Sequence, residues 1–215
     1  MYARHRFAVR LVGCAILCGF LCRAATPAAA QSKIVQIEEH WELSVGEPIA
    51  QVNSPQATMV MSPYSNLDGQ YFAFTINHRS VPDYEPGGLQ VQLWSGDEAI
   101  DSASFIAGPL NQANDDVHWV QRLKVEDGTL LFEVVDGSSD SWGSFGGSGS
   151  LAFTSPTTLE NLNGYRPAIS LTESQVGYAG NRVQQLLLKK LVWVTDDGET
   201  HELLAPIDID TDLDP

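Results

Sequence analysis

The chain predicts an all-β fold, two antiparallel sheets packed as a sandwich behind a secretory signal peptide. Three observations carry that expectation. Past residue 31 the apolar residues recur with a period of two, Gly, Pro, Asn and Asp cut the chain into short segments, and no helical pattern alternates with the strands. A mature chain of this length buries enough surface in one core to need no covalent staple.

The segments follow in order. "FAFTINH" puts Phe72, Phe74 and Ile76 on one side of a strand and Ala73, Thr75 and Asn77 on the other. "LQVQLWS" turns Leu89, Val91 and Leu93 inward, and "VHWVQRLKV" offers Val117, Trp119, Leu123 and Val125 as a core face with His118, Arg122 and Lys124 opposite. Asp127-Gly128 then leads into "TLLFEVV", the signature of a tight hairpin. "SLAF" (Ser150 to Phe153) and "AISL" (Ala168 to Leu171) read as further strands. The long "VQQLLLKKLVWVT" from Val183 to Thr195 reads as a strand buried on both sides or bent by a bulge, turning at Asp196-Asp197-Gly198 into "ETHELL".

The first 30 residues carry arginines at 4, 6 and 10, an apolar run from Leu11 to Cys22 and a small-residue boundary ending at Ala30, as a cleaved export signal does. Expected boundaries are therefore 1–30 signal peptide, 31–205 sandwich domain and 206–215 acidic, poorly ordered tail. The expected destination is secretion, the periplasm or the cell surface. Cys14, Cys18 and Cys22 all lie in the signal, so no disulfide or thiolate metal site is available to the mature chain. Of 12 Lys and Arg, four precede residue 31, leaving 8 against 27 Asp and Glu, a formal charge of −19. Such a field repels nucleic acid and anionic lipid. No segment beyond the signal approaches the ~20 apolar residues of a membrane-spanning helix.

The stretch "HWVQRLKVEDGTLLFEVVDG", with Trp119, Asp127, Gly128, Leu130, Phe132, Val134, Asp136 and Gly137, resembles the tryptophan, hairpin and Asp-Gly pattern of concanavalin-like and laminin-G-like jelly-roll sandwiches. "VGYAGNRVQQLLLKKLVWV", with Gly177, Gly180, Asn181 and Val183, is similar to their closing strand. The resemblance implies a module that binds glycans or matrix proteins, in some members with calcium, and in others a glycoside hydrolase.

Candidate chemistry is sparse. Gln90, Gln92 and Trp94 alternate with Leu89, Val91 and Leu93 and so share one sheet face, where an indole beside amides suits a sugar ring. "DSWGSFGGSGS" (Asp140 to Ser150) lacks the Lys and following helix of a phosphate loop, and its Trp142 and Phe145 argue against a slack linker. It reads as a connection between strands, with Trp142 a lid on the core or a second wall of a ligand site. The histidines His40, His78, His118 and His201 are scattered, and neither H-E-x-x-H nor G-x-S-x-G occurs. Glu133 and Asp136 could pair as glycosidase carboxylates, although charged turn ends are the ordinary explanation. Asp208, Asp210 and Asp212 begin like a calcium loop, but Leu213 replaces its glycine. No cofactor is expected, or at most a weakly held calcium at the Asp196-Asp197 turn. The expectation is a non-enzymatic recognition module for an extracellular glycan or cell-surface component, with a glycoside hydrolase or lyase of the same fold, or a structural envelope protein, as alternatives.

Overall fold

A computed structural model of the chain describes residues 32–47, 55–78, 88–106, 110, 114–178 and 182–209. The signal segment, Asp210 and Asp212 lie outside the described residues. The elements are β1 (Ile34–Val45), β2 (Gln56–Met61), β3 (Gln70–His78), β4 (Gly88–Ser95), β5 (Glu98–Ile106), β6 (Asp115–Glu126), β7 (Thr129–Ser139), β8 (Gly143–Phe145), β9 (Ala152–Pro156), α1 (Pro167–Glu173), β10 (Gln175–Tyr178), β11 (Val183–Thr195) and β12 (Thr200–Asp208). They form two antiparallel sheets. A seven-stranded sheet runs β12-β11-β1-β6-β7-β8, with β9 also pairing β7, and a five-stranded sheet runs β10-β2-β3-β4-β5. No helix among the described residues is long and apolar enough to cross a membrane.

The alternating apolar residues close the sandwich. Trp41, Leu43, Trp119, Leu123 and Phe132 of the large sheet meet Met59, Phe72, Phe74, Ile76 and Val91 of the small one, all nearly excluded from solvent. Phe72 stacks on Phe132 across the interlayer space at 4.9 Å, and Phe74 meets Trp119 edge-on at 6.1 Å. The β6–β7 hairpin turns on Asp127 and Gly128, both at positive φ (48° and 73°), so that Glu126 faces Thr129 across a two-residue loop. The long strand β11 is bulged, as its sequence predicts.

One element departs from the sequence reading. "AISL" is helical, part of α1, rather than a strand. A four-residue apolar run carries too little periodicity to separate the two, and Pro167 at the first helical turn, with φ already set and no N–H to satisfy, tips it to helix. β12 also continues to Asp208, paired with Leu187, three residues into the segment expected to be an acidic tail.

The glycine-rich stretch is an ordered strand connection. The Asp115 carboxylate, itself buried, accepts the N–H groups of Asp140 and Ser141 at 2.8 and 2.9 Å, and Ser139 Oγ accepts that of Trp142 at 3.0 Å. Gly143–Phe145 then pairs with the end of β7, and the Phe145 ring lies where a Cβ on Gly137 would be, 2.1 Å away. Gly146 has φ +82°, and a Cβ there would stand 2.7 Å from the Val134 carbonyl oxygen; Gly149 has φ +74° with open space around it. Gly146→Ala is therefore expected to cost about 2–3 kcal/mol, the left-handed penalty plus a backbone clash, and Gly149→Ala about 1 kcal/mol, the left-handed penalty alone. Urea denaturation of the two variants checks the order, and equal losses would show that the backbone approach at Gly146 is slack.

Candidate ligand face

On the outer face of the five-stranded sheet, strand register collects uncharged polar groups. Gln175, Thr58, Thr75, Gln90 and Ser104 stand in one row across all five strands. The neighbouring row contains Val60, Ala73, Gln92 and Ser102, and the next brings Tyr71 beside Trp94. Gln90, Gln92 and Trp94 thus share a face, as their alternation with Leu89, Val91 and Leu93 requires, but Gln90 is itself buried while Gln92 and Trp94 are partly open. The Thr58 and Thr75 hydroxyls lie 3.0 Å apart, and Gln90 Nε2 donates to Ser104 Oγ at 3.3 Å. Gln90 Oε1 and Trp94 Nε1 have no hydrogen-bond partner among the described residues. The Tyr71 and Trp94 rings stack at 6.0 Å and 11°. Burial, with the charges of Asp97 and Glu173 behind it, raises the Tyr71 pKa above its ordinary value, so its hydroxyl remains a donor at neutral pH.

Trp142 is elsewhere. It sits in the turn before β8 of the other sheet, half-buried, edge-on to Phe145 at 6.1 Å and packed against the core. The structure does not join it to the Gln90 face; it caps the hydrophobic layer.

Of the carboxylates considered from sequence, Glu133, Asp196 and Asp197 have other partners. Glu133 faces Arg122 at 3.9 Å, and Arg122 is held more closely by Glu38 at 2.8 Å. Asp196 Oδ1 accepts the Lys33 N–H, and Asp197 Oδ1 accepts from Thr195 Oγ1 at 2.6 Å and from the Glu199 N–H at 3.1 Å. The Thr195 hydrogen bond, then that of Glu199, lowers the Asp197 pKa. Those carboxylates organise their turn. Among the described residues no group of three or more His, Cys, Asp or Glu is arranged to hold a metal ion.

The sequence reading missed the polar centre of the core. Glu39 points inward from β1 and is wholly buried. Its Oε2 accepts from Trp41 Nε1 at 2.9 Å and Gln121 Nε2 at 2.6 Å; its Oε1 accepts from the hydroxyls of Tyr165, at 2.6 Å, and Ser170. Glu39 and Gln121 are cross-strand partners on β1 and β6, while Tyr165 and Ser170 come from the segment containing α1. One carboxyl group thus fastens the segment at 165–170 to the large sheet. Desolvation raises its pKa despite the four hydrogen bonds, and burial followed by the Glu39 charge lifts that of Tyr165 well above the ordinary 10.0.

No protein-family model matches the chain, and no curated protein matches it. Among solved structures it is similar to the crystal structure of scytalido-glutamic peptidase with a transition state analog inhibitor, at 11% sequence identity and a TM-score of 0.26, over 81% of this chain and 82% of that one.

Proposed function

We propose that the protein is a non-enzymatic recognition module whose five-stranded sheet binds a neutral extracellular glycan on its outer face. One observation carries this reading. In a chain of net charge −15, two successive cross-strand rows hold only hydroxyl, amide and small apolar side chains; Val60, Ala73, Thr75 and Gln90 are buried at their centre, and the accessible part is Gln92, Ser102 and Ser104 beside the stacked Tyr71 and Trp94. Neutral sugars need this chemistry: hydroxyls exchange hydrogen bonds with amides and alcohols, and ring C–H faces pack on aromatic edges. Charged ligands gain nothing there that offsets their lost hydration. The resemblance of the β6–β7 and β11 segments to concanavalin-like and laminin-G-like sandwiches points the same way.

A panel of neutral, acidic and sulfated glycans, probed with and without calcium, tests the reading. Binding is expected for neutral glycans. Gln92 is the cleanest variant, because it is half-buried on the face, whereas Trp94→Ala also removes a stacking partner of Tyr71. Gln92→Ala should weaken binding by about 1 kcal/mol and Trp94→Ala by about 1–3 kcal/mol, with the Gln92 variant melting like the wild type. A wild type that binds no neutral glycan, or variants that bind undiminished, would overturn the assignment.

A further inference from the structure

The outer face of the seven-stranded sheet has a hollow of about 430 Å³, within the range of small-ligand sites. Two bulges flank the row that pairs His40 with Val120, one on each side of it. On β11, Lys189 is the extra residue between Lys190 and Leu188, which face consecutive His40 and Trp41; on β7, Val135 is the extra residue between Asp136 and Val134, which face consecutive Val120 and Gln121. A bulge bends its strand and re-aims side chains, and here Lys189 and Lys190 both line the hollow despite being adjacent in sequence. Lys190, His40, Val120 and Asp136 stand in one row across β11, β1, β6 and β7.

The charges around this row are unevenly committed. Lys189 Nζ lies 2.8 Å from Glu42 Oε2, which also faces His118 Nδ1 at 3.5 Å, so that group is internally balanced. Lys190 is held only at 3.8 Å, by the exposed Glu202 of β12, and Asp136 has no ion pair among the described residues. Between them lie the Val120 side chain and the His40 ring, whose Nε2 is 3.8 Å from Glu38 and has no hydrogen-bond partner among the described residues. An available cation thus stands at one end of the row and an available anion at the other.

We propose that this hollow binds a small zwitterion lying across the strands, its anionic group at Lys190 and its cationic group at Asp136, as a short peptide with both termini free would lie. A simple anion is opposed by the charge of the chain, and a simple cation by the loosely held Lys190; a zwitterion meets neither obstacle. Three strand spacings of ~4.8 Å set the two end residues ~14 Å apart at Cα. The long, flexible Lys190 side chain can lean inward along the row, toward the ~10 Å span of an extended tripeptide. Burial, then the neighbouring Lys190, lowers the His40 pKa, so at neutral pH the floor of the row is an uncharged imidazole that competes for neither terminus.

Calorimetric titration of trialanine into the full chain tests this, with N-acetyl-trialanine and trialanine amide as controls. Trialanine should bind, and blocking either terminus should weaken it at least about tenfold. Lys190→Met and Asp136→Asn should each do the same while leaving the melting temperature and any glycan binding on the other sheet unchanged. Absence of trialanine binding up to about 10 mM overturns the proposal. So does loss on blocking only the carboxylate, which would make the hollow an anion site, or equal binding of all three peptides.

Discussion

Glu39→Ala is expected to lower stability by about 3–5 kcal/mol, and Glu39→Gln by far less. The alanine variant leaves two obligate donors, the Trp41 indole and the Gln121 amide, and two hydroxyls without the carboxylate that accepted from them. A glutamine can present its oxygen to the indole and the Gln121 amide and its NH2 to the Tyr165 and Ser170 hydroxyls, both able to accept. For a domain of this size the alanine loss corresponds to about 8–15 °C in melting temperature. Thermal and urea unfolding of the two variants measures it. Equal, large losses in both would show that the site requires a full negative charge.

The acidity of the same group gives a direction with pH. Because burial raises the folded-state pKa of Glu39 above its ordinary 4.5, the native chain binds a proton more readily than the unfolded one. Stability relative to Glu39→Gln should therefore rise as pH falls through the raised pKa, level off near 4.5, and be lost again as pH rises. Oε2 already faces two obligate donors, so the proton must sit on Oε1, between the two hydroxyls.

What the sequence could reveal depended on how local the determining contacts are. The β6–β7 hairpin was legible because a positive-φ dipeptide, Asp127-Gly128, lies between two alternating runs. The Gln90, Gln92 and Trp94 face was legible from alternation alone, since a strand leaves side chains no other choice of side. β1 was obscured because its buried positions include Glu39, so "IVQIEEHWELSV" does not alternate cleanly between apolar and polar. Glu39 is intelligible only with Tyr165 and Ser170, 126 and 131 residues away, and no local pattern encodes such a contact. The same holds for His40 and His118, scattered in sequence yet lining one hollow because β1 pairs with β6. Trp142 failed as a second wall because pairing of β8 with β7 places it on the other sheet from Trp94.

Two tryptophans at the centre of the large sheet offer a sharper test of the polar core than burial can. Trp41 and Trp119 are each 2% exposed, face one another in register, and stack at 6.1 Å with ring planes 2° apart. Either one replaced by alanine should cost about 3–5 kcal/mol, the range for a large aromatic removed from a core. Phenylalanine should separate them. The Trp119 Nε1–H has no hydrogen-bond partner among the described residues, so Trp119→Phe removes a buried, unmatched donor, and the relief partly offsets the lost volume. Trp41 Nε1–H donates to Glu39 Oε2, so Trp41→Phe takes a donor from a buried carboxylate and costs about 1–3 kcal/mol more than Trp119→Phe. The gap should be smaller on the acid side of the raised Glu39 pKa than on its basic side, since a neutral acid needs the indole less than a carboxylate does. Urea denaturation of both phenylalanine variants across a pH series from acidic to alkaline measures this directly. If they lose the same stability at neutral pH, the indole contributes packing alone and Glu39 is held by its other three donors.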